Sequence, residues 1–242
     1  MKLFRRTSSG AKTPEGVRLY AIGDIHGCID ELNLLLRKID SDARDAPQRR
    51  LIFLGDYVDR GPDSRGVIDR LIEISKTDPD AVFLKGNHEA AMLRFLDDPD
   101  TVDTWLEWGG EETMRSYGVI CGLKSGSELA ATLREKMPED HETFLRSLAL
   151  THREGDYFFV HAGVRPGVTL EDQKEEDLLW IRGRFHDTQP DERPDLTVVH
   201  GHQADRRPIN KSWRICVDTM AYHTGVLTAV VLDADKRRFI ST

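Results

Sequence analysis

Five short apolar runs that each end in an Asp, Asn or His side chain constrain the fold of this chain most strongly. The clearest run, Leu51 to Leu54, leads directly into Gly55-Asp56. The other four runs end at Asp24 and His26, at Asn87 and His88, at His161, and at His200 and His202. Runs of this kind are typical of strands buried on both faces. Ligands of open α/β sheets bind beyond the carboxyl ends of the strands, so these side chains predict a site there.

The order of the predicted elements indicates an α/β fold. Strand-like runs alternate with amphipathic helices over the first 96 residues, which implies parallel strands joined by right-handed crossovers. The short runs after residue 156 favour antiparallel or mixed pairing in a second sheet. These later runs cover 157–160, 196–200, 213–217, 226–232 and 237–241. We therefore expect a four-layer αββα sandwich of two mixed β-sheets.

Two segments lie outside this pattern. Residues 97–150 read as several helices, which predicts a helical insertion lying over the site; the alternative is that these helices belong to the outer layer. Residues 1–16 are basic and polar and predict a flexible N-terminal tail without a secretory signal. The remaining residues, 17–242, are predicted to form a single domain.

Composition narrows the classes of partner. The formal net charge is −8 and the pI is near 5.6, so the chain has no basic footprint for nucleic acid. No apolar run approaches the ~20 residues of a membrane span. Three widely separated cysteines without a CxxC motif fit a reducing compartment. We therefore expect a cytoplasmic protein that binds neither nucleic acid nor membrane.

The side chains at the strand ends predict a centre that holds two divalent metal ions. Two metals roughly 3.5–4 Å apart need a shared ligand, and a carboxylate can bridge them whereas a neutral imidazole cannot. Asp56, on the central run, is the best candidate for this bridge. Asp24 and His26 are separated by one residue and can hold the first metal in one turn.

The second metal is predicted to use Asn87, His161 and His202. A mixed nitrogen and oxygen shell accommodates manganese, iron or zinc, of which manganese is our first expectation. His200 is an alternative ligand that the sequence leaves open, and His223 could also approach the centre.

The motifs at the strand ends are long enough to suggest a family. They are Gly23-Asp24-Ile25-His26-Gly27, Gly55-Asp56-Tyr57-Val58-Asp59-Arg60-Gly61, Gly86-Asn87-His88-Glu89, His161-Ala162-Gly163 and Gly201-His202. In order and spacing this set resembles the phosphoprotein phosphatase family of metallophosphoesterases. The similarity implies a dinuclear metal centre and a metal-bridging hydroxide that hydrolyses a phosphate monoester without a covalent intermediate. It is greatest to the bacterial branch, which contains serine/threonine protein phosphatases and symmetrical dinucleoside tetraphosphate hydrolases.

The resemblance also assigns roles to individual residues. It implies that His88 is the general acid and that Asp59 orients its imidazole. It implies that Arg60 and Arg182 bind the substrate phosphate, with Arg184 as an alternative to Arg182. Asn87 would hold both a metal and a phosphate oxygen.

Three functions remain open at this stage. The segment Tyr57 to Arg60 and the Glu89 that follows His88 favour a serine/threonine protein phosphatase, with a phosphorylated protein or small molecule as substrate. The alternative is a symmetrical bis(5′-nucleosyl)-tetraphosphatase, which needs an aromatic or basic clamp for adenine. Trp105, Trp108 and Tyr117 are candidates for that clamp, although core packing is the more common use of each. A catalytically inactive binding module is the third reading, and the complete set of motifs argues against it.

The sequence departs from the family pattern at one segment that passes near the site in the family, so the departure could change how substrate fits. The segment Asp218-Thr219-Met220 resembles a family stretch that usually reads Asp-Thr-Gly, so Met220 replaces the glycine.

Overall fold

The protein, described here from a computed structural model over residues 10–242, is built around two stacked β-sheets. The strands are β1 (Val17–Ile22), β2 (Gln48–Phe53), β3 (Val82–Phe83), β4 (Thr151–Glu154), β5 (Tyr157–Val160), β6 (Thr197–His200), β7 (Ile209–Asn210), β8 (Arg214–Cys216), β9 (Thr228–Asp233) and β10 (Lys236–Ser241). The first sheet has the order β10-β9-β1-β2-β3 and the second the order β4-β5-β6-β8-β7.

Helices cover the outer faces of the two sheets. They are α1 (Ile29–Asp42), α2 (Ser64–Thr77), α3 (Asn87–Asp97), α4 (Val102–Trp105), α5 (Glu111–Ser116), α6 (Gly126–Lys136), α7 (Glu139–Ser147), α8 (Glu175–Trp180), α9 (Gly183–His186) and α10 (Ala221–Thr224). A π-helical turn over Leu106–Gly110 joins α4 to α5. Within residues 10–242, no helix has both the length and the apolar character that crossing a bilayer requires.

Both sheets mix parallel and antiparallel pairs, which confirms the predicted sandwich of two mixed sheets. In the first sheet β1, β2 and β3 are parallel, and β9 pairs antiparallel with β1. In the second sheet β5, β6 and β8 are parallel, and β4 and β7 are antiparallel to their neighbours. The parallel strands of each sheet therefore end at one edge, where their following loops meet.

The alternation of side chains along β1 explains the layering. Leu19 and Ala21 pack between the sheets, in one apolar cluster with Phe159 of the second sheet. Tyr20 and Ile22 point the other way and pack with the helices of the outer layer. Because each fully buried aliphatic or aromatic side chain contributes roughly 1.5–3 kcal/mol, strands of this kind stabilise both interfaces at once.

The last two strands do not join the second sheet, which corrects the sequence-based expectation. β9 is buried over Thr228–Leu232 and therefore requires an interior position, which it finds beside β1. β10 then forms the edge of the first sheet and carries Lys236, Arg237 and Arg238. Charged residues on an edge strand protect it from pairing with another chain.

The insertion forms helices α4 to α7, which pack against α2 and α3 in the same apolar cluster as the outer face of the first sheet. Trp105, Met114, Leu133 and Leu145 are its most deeply buried members. The insertion therefore belongs to the outer layer, and it also reaches the site through contacts described below.

The N-terminal segment differs in part from the predicted tail. The backbone N–H of Lys12 donates to the Asp156 carboxylate at 3.0 Å, and that of Thr13 donates to the carbonyl of Ala234 at 3.0 Å. Residues 11–16 therefore contact the turns at the ends of the two sheets, where the sequence predicts a tail. The rest of the predicted tail, residues 1–9, lies outside the described residues.

Candidate functional site

The predicted site residues converge at the carboxyl ends of the parallel strands of both sheets. Asp24 and His26 follow β1, Asp56 and Asp59 follow β2, and Asn87 and His88 open α3 just after β3. His161 follows β5 and His202 follows β6, so the second sheet supplies the remaining imidazoles. All of these side chains are buried.

Asp56 lies at the centre of the cluster. Its Oδ2 atom is 3.5 Å from Nε2 of His26, and its Oδ1 atom is 3.4 Å from Nε2 of His161. His202 belongs to the same group of side chains as Asp56 and His161, within the reach of one ion. The two oxygens of one carboxylate thus face imidazoles from different sheets, an arrangement that supports Asp56 as the predicted bridge.

The donor set fits divalent metal ions. Nδ1 of His26 bonds to the carbonyl of Val58 at 2.8 Å and Nδ1 of His161 bonds to that of Leu54 at 2.9 Å, which leaves each Nε2 directed at the centre. Nε2 of His202 is buried and has no hydrogen-bond partner among the described residues. Burial lowers the pKa of all three imidazoles, that of His202 to about 2. The lowered pKa values favour the neutral form of these imidazoles, which is the form that binds metal.

The carboxylates are crowded in a way that favours a cation. Burial raises the pKa of Asp24 well above its usual value, and the charges of Asp218 and Asp56 raise it further. For Asp56, burial alone would raise the pKa, but the surrounding imidazoles, His161 foremost, lower it well below the usual range. Asp218 was not predicted as a site residue. Burial raises its pKa to about 6, and it completes an acidic group that bound cations would neutralise.

Asp24 is held against the second sheet by the backbone of His202. The N–H of His202 donates to Oδ2 of Asp24 at 3.1 Å. A Cβ atom on Gly201 would overlap Oδ1 of Asp24, so a glycine is required for this close approach. The loop after β6 therefore fixes the position of the Asp24 carboxylate and also supplies the His202 imidazole.

Several site residues adopt left-handed backbone conformations. The φ angles are 46° at His26, 52° at Asp56, 72° at Asp59, 67° at Arg60 and 59° at His202. Such conformations are uncommon for residues other than glycine and cluster at functional sites. The tight turns are stabilised by the backbone itself, because the N–H groups of Ile25 and His26 both donate to the carbonyl of Asp56, at 3.0 and 2.8 Å.

His88 and Asp59 form a buried pair beside Asp56. Nδ1 of His88 lies 2.7 Å from Oδ2 of Asp59. Burial lowers the pKa of His88, but Asp56 and Asp59 outweigh this effect and raise it overall. The Asp59 carboxylate also accepts a bond from Nε1 of Trp105 at 3.1 Å and one from Oγ1 of Thr113 at 2.7 Å. Trp105 and Thr113 come from the insertion, so the insertion helps to orient the imidazole.

The two predicted phosphate-binding arginines, Arg60 and Arg182, are more exposed than the predicted metal ligands. A guanidinium nitrogen of Arg60 is 3.0 Å from Nε2 of His26, and the group lies over the ring of Tyr222 at 5.0 Å. Arg182 is exposed. Burial is the main cause of the lowered pKa values of His161 and His202, and the charge of Arg182 makes a smaller contribution in the same direction. The choice of Arg182 rather than Arg184 as the second phosphate-binding arginine stays a prediction.

The two alternative histidine ligands do not join the cluster. Nδ1 of His200 bonds to the carbonyl of Gly201 at 2.9 Å, and its Nε2 is 3.2 Å from the Arg214 guanidinium, so both nitrogens are occupied. His223 is exposed on α10. Of the candidate aromatic clamp residues, Trp105 and Tyr117 are buried and hydrogen-bonded within the fold. Trp108 is only half-buried, and its ring centroid lies 6.5 Å from that of His88.

Glu89 has a role that sequence reasoning did not identify. Its buried carboxylate accepts hydrogen bonds of 2.7–3.2 Å from the backbone N–H groups of Asp56, Tyr57, Val58 and Gly86. Burial and the charge of Asp56 raise its pKa to about 7. One side chain thus holds both the turn that carries Asp56 and the start of α3, which carries Asn87 and His88.

We expect Glu89→Gln to destabilise the protein by about 2–3 kcal/mol, because the amide offers one acceptor oxygen and turns an NH₂ group toward backbone donors. Chemical denaturation of the two proteins measures the difference. Glu135→Gln, an exposed change on α6, is the control and should stay within about 0.5 kcal/mol of wild type. A Glu89→Gln protein as stable as this control would show that the carboxylate does not hold the two loops.

Comparison with known proteins agrees with the phosphoesterase chemistry that the site residues suggest. The family profile for calcineurin-like phosphoesterases matches residues 17–224. A symmetrical bis(5′-nucleosyl)-tetraphosphatase of Aromatoleum aromaticum is 32% identical over 153 residues, which are 63% of this chain and 46% of that protein. The chain thus spans less than half the length of this relative.

Two further comparisons extend over nearly the whole chain. The asymmetrical bis(5′-nucleosyl)-tetraphosphatase PrpE of Anoxybacillus flavithermus is 27% identical over 236 residues, covering 86% of this chain and 88% of that one. A crystal structure of a protein provisionally assigned as a diadenosine tetraphosphatase aligns with a TM-score of 0.65 and 24% identity, over 96% of this chain and 98% of the other. The last comparison shows the fold, whereas the profile covers every predicted metal and acid residue. The chain therefore belongs to the calcineurin-like phosphoesterase family.

Proposed function

We propose that this protein is a metal-dependent hydrolase of bis(5′-nucleosyl) polyphosphates. The observation that carries the chemistry is the convergence of imidazoles from both sheets on the single carboxylate of Asp56, beside a buried acid pair and two arginines. The substrate class rests on the tetraphosphatase names of its relatives, including the one that matches nearly its full length. This reading replaces the protein phosphatase as our first choice.

The residues divide into two metal-binding groups that share Asp56. Asp24 and His26 would complete the first group, and Asn87, His161 and His202 the second. Divalent cations in such a site polarise phosphoryl oxygens and lower the pKa of water to near neutrality. Manganese remains our first expectation, with iron or zinc as alternatives, because the donors are mixed nitrogen and oxygen atoms.

The remaining residues act on the phosphate and on the leaving group. Arg60 and Arg182 bind the phosphate oxygens through charge-assisted hydrogen bonds. His88 donates a proton to the departing oxygen, and Asp59 holds the imidazole in the required orientation from its other nitrogen. Trp105 and Thr113 fix Asp59 in turn, so the acid is supported by the insertion.

We expect Arg182→Ala to raise the KM for substrate and to weaken inhibition by inorganic phosphate about 10- to 100-fold, because a charged hydrogen bond to the oxyanion is lost. Metal content should stay the same, since Arg182 is not among the ligands. Arg184→Ala is the matched control and should behave like wild type. The reverse result for the two arginines would transfer the role to Arg184.

A serine/threonine protein phosphatase is the second candidate, and one observation favours it. The His88–Asp59 pair is fully buried and well positioned to protonate an alkoxide, which is a poor leaving group and needs an acid. A nucleotide leaving group carries its charge on phosphate oxygens and needs the proton less.

One experiment decides between the candidates. The manganese-loaded protein is incubated in parallel with diadenosine tetraphosphate and with phosphoserine, phosphothreonine and phosphotyrosine peptides, and the products are separated by chromatography. We expect kcat/KM to be highest for the tetraphosphate; ADP alone indicates symmetrical cleavage, and ATP with AMP indicates asymmetrical cleavage. A higher kcat/KM for a phosphopeptide would reject the proposal in favour of the second candidate.

A further inference from the structure

A cavity of about 340 Å³ opens beside the candidate site, between α3, the insertion and α8. Its volume is within the roughly 300–1,000 Å³ of sites that hold small molecules. We call it the tryptophan cavity, after Trp105, Trp108 and Trp180 in its wall; Ala90, Arg94 and Glu176 are also part of its lining.

Two of its indoles are partly accessible to a ligand. Trp108 and Trp180 are half-buried, and their ring centroids lie 5.0 Å apart with planes inclined at 56°. Trp105 is instead buried and bonded to Asp59. A flat aromatic ligand would therefore contact the two partly exposed indoles, whereas Trp105 is held in place by its own hydrogen bond.

Several residues that line the cavity are close to catalytic groups. Ala90 and Ala91 lie two and three residues after His88 on α3, and Trp180 ends α8 two residues before Arg182. Trp108 itself lies 6.5 Å from His88, measured between ring centroids. Trp108 also lines a second pocket together with Arg60, so a ligand stacked on Trp108 would lie near a phosphate bound at Arg60.

We propose that the tryptophan cavity binds the purine base of the nucleotide substrate, with Trp108 and Trp180 as stacking residues. This inference rests on the proposed function and names the part of the molecule that selects the substrate. Indoles stack on bases of any kind, and purines offer the larger face. The exposed carboxylate of Glu176 in the lining accepts hydrogen bonds, so it suits the exocyclic amino group of adenine.

The test measures binding rather than turnover. Isothermal titration calorimetry of the manganese-loaded protein with ADP, UDP and pyrophosphate compares ligands that share a diphosphate but differ in the base. We expect ADP to bind most tightly and pyrophosphate least. Trp180→Ala and Trp108→Ala should each raise the Kd for ADP roughly 5- to 100-fold, that for UDP less, and that for pyrophosphate least of all.

Two further variants make the result specific. Trp180→Phe keeps an aromatic face and should restore most of the affinity for ADP. Trp213→Phe changes a tryptophan just before β8 that packs against Phe185 of α9, outside the cavity, and should leave the preference for ADP over UDP as it is. Thermal unfolding of each variant checks that the fold is retained.

The outcomes separate this inference from the proposed function. If Trp180→Ala and Trp108→Ala bind ADP as wild type does, the base does not lie in the tryptophan cavity, whether or not diadenosine tetraphosphate is hydrolysed. A loss of phosphopeptide affinity in these variants, with ADP binding unchanged, would likewise overturn the inference and assign the cavity to a peptide. Tryptophan-dependent ADP binding without tetraphosphate hydrolysis would support the cavity and reject the proposed function.

Discussion

Asp56→Asn should abolish nearly all phosphoesterase activity, by more than roughly 100-fold, since even residues that only support a metal ligand contribute 10- to 100-fold. The reason is that both carboxylate oxygens face imidazoles, Oδ2 toward His26 and Oδ1 toward His161. An amide retains the shape but loses the charge and one of the two oxygens that can bind metal. Asparagine also tolerates the left-handed backbone at this position, where φ is 52°, so the fold should survive.

Elemental analysis of the purified variant, together with turnover at saturating manganese, measures the effect. We expect fewer than two metals per chain in Asp56→Asn. Asp103→Asn, an exposed change in the insertion, controls for the loss of one negative charge and should keep both metals and full turnover. A variant at position 56 that retains two metals and near-normal turnover would show that this carboxylate is not shared.

His88→Asn should reduce turnover on a phosphoserine peptide by about 10²–10⁴-fold, the usual contribution of a general acid. The loss should be much smaller on para-nitrophenyl phosphate and on diadenosine tetraphosphate, because their leaving groups are stable without a proton. Asp59→Asn should show the same dependence on the leaving group more weakly, since it removes the group that orients the imidazole and leaves the donor in place.

The measurement is turnover of wild type, both variants and His223→Asn on the three substrates. His223 is exposed on α10, and its replacement should leave all three rates at the wild-type level. Equal losses on the three substrates in His88→Asn would mean that this imidazole acts by placing metal or phosphate. The proton donor would then have to be another residue.

The parts of this site that are local in sequence could be predicted, and those made by distant contacts could not. Asp56 was identifiable because an apolar strand leads straight into it, and Asp24, Asn87, His161 and His202 follow strands in the same way. Glu89 reads in the sequence as an ordinary acidic residue in the first turn of a helix. Its hydrogen bonds to the turn at residues 56–58 appear only once β2 and β3 are neighbours.

The support of the acid pair was hidden for the same reason. Trp105 and Thr113 lie 46 and 54 residues from Asp59 in sequence, and their amphipathic helices predict only packing. The sequence-based placement of β9 in the second sheet was wrong for a different reason. A short apolar strand fits the interior of either sheet, and its choice depends on the free edge of β1, which the strand's own residues do not encode.

The left-handed turns at the site limit how this protein can change over evolution. Among residues with a side chain, Asn, Asp and His are the ones most often found in that conformation. His26, Asp56, Asp59 and His202 all adopt it, so the substitutions easiest for the backbone at these positions exchange one of these three residue types for another. Aspartate and asparagine codons differ by one nucleotide, so a single mutation at position 56 can remove a metal ligand without straining the turn. A descendant that loses catalysis by this route would keep the fold and the cavities around it, and selection could then retain it as a binding protein.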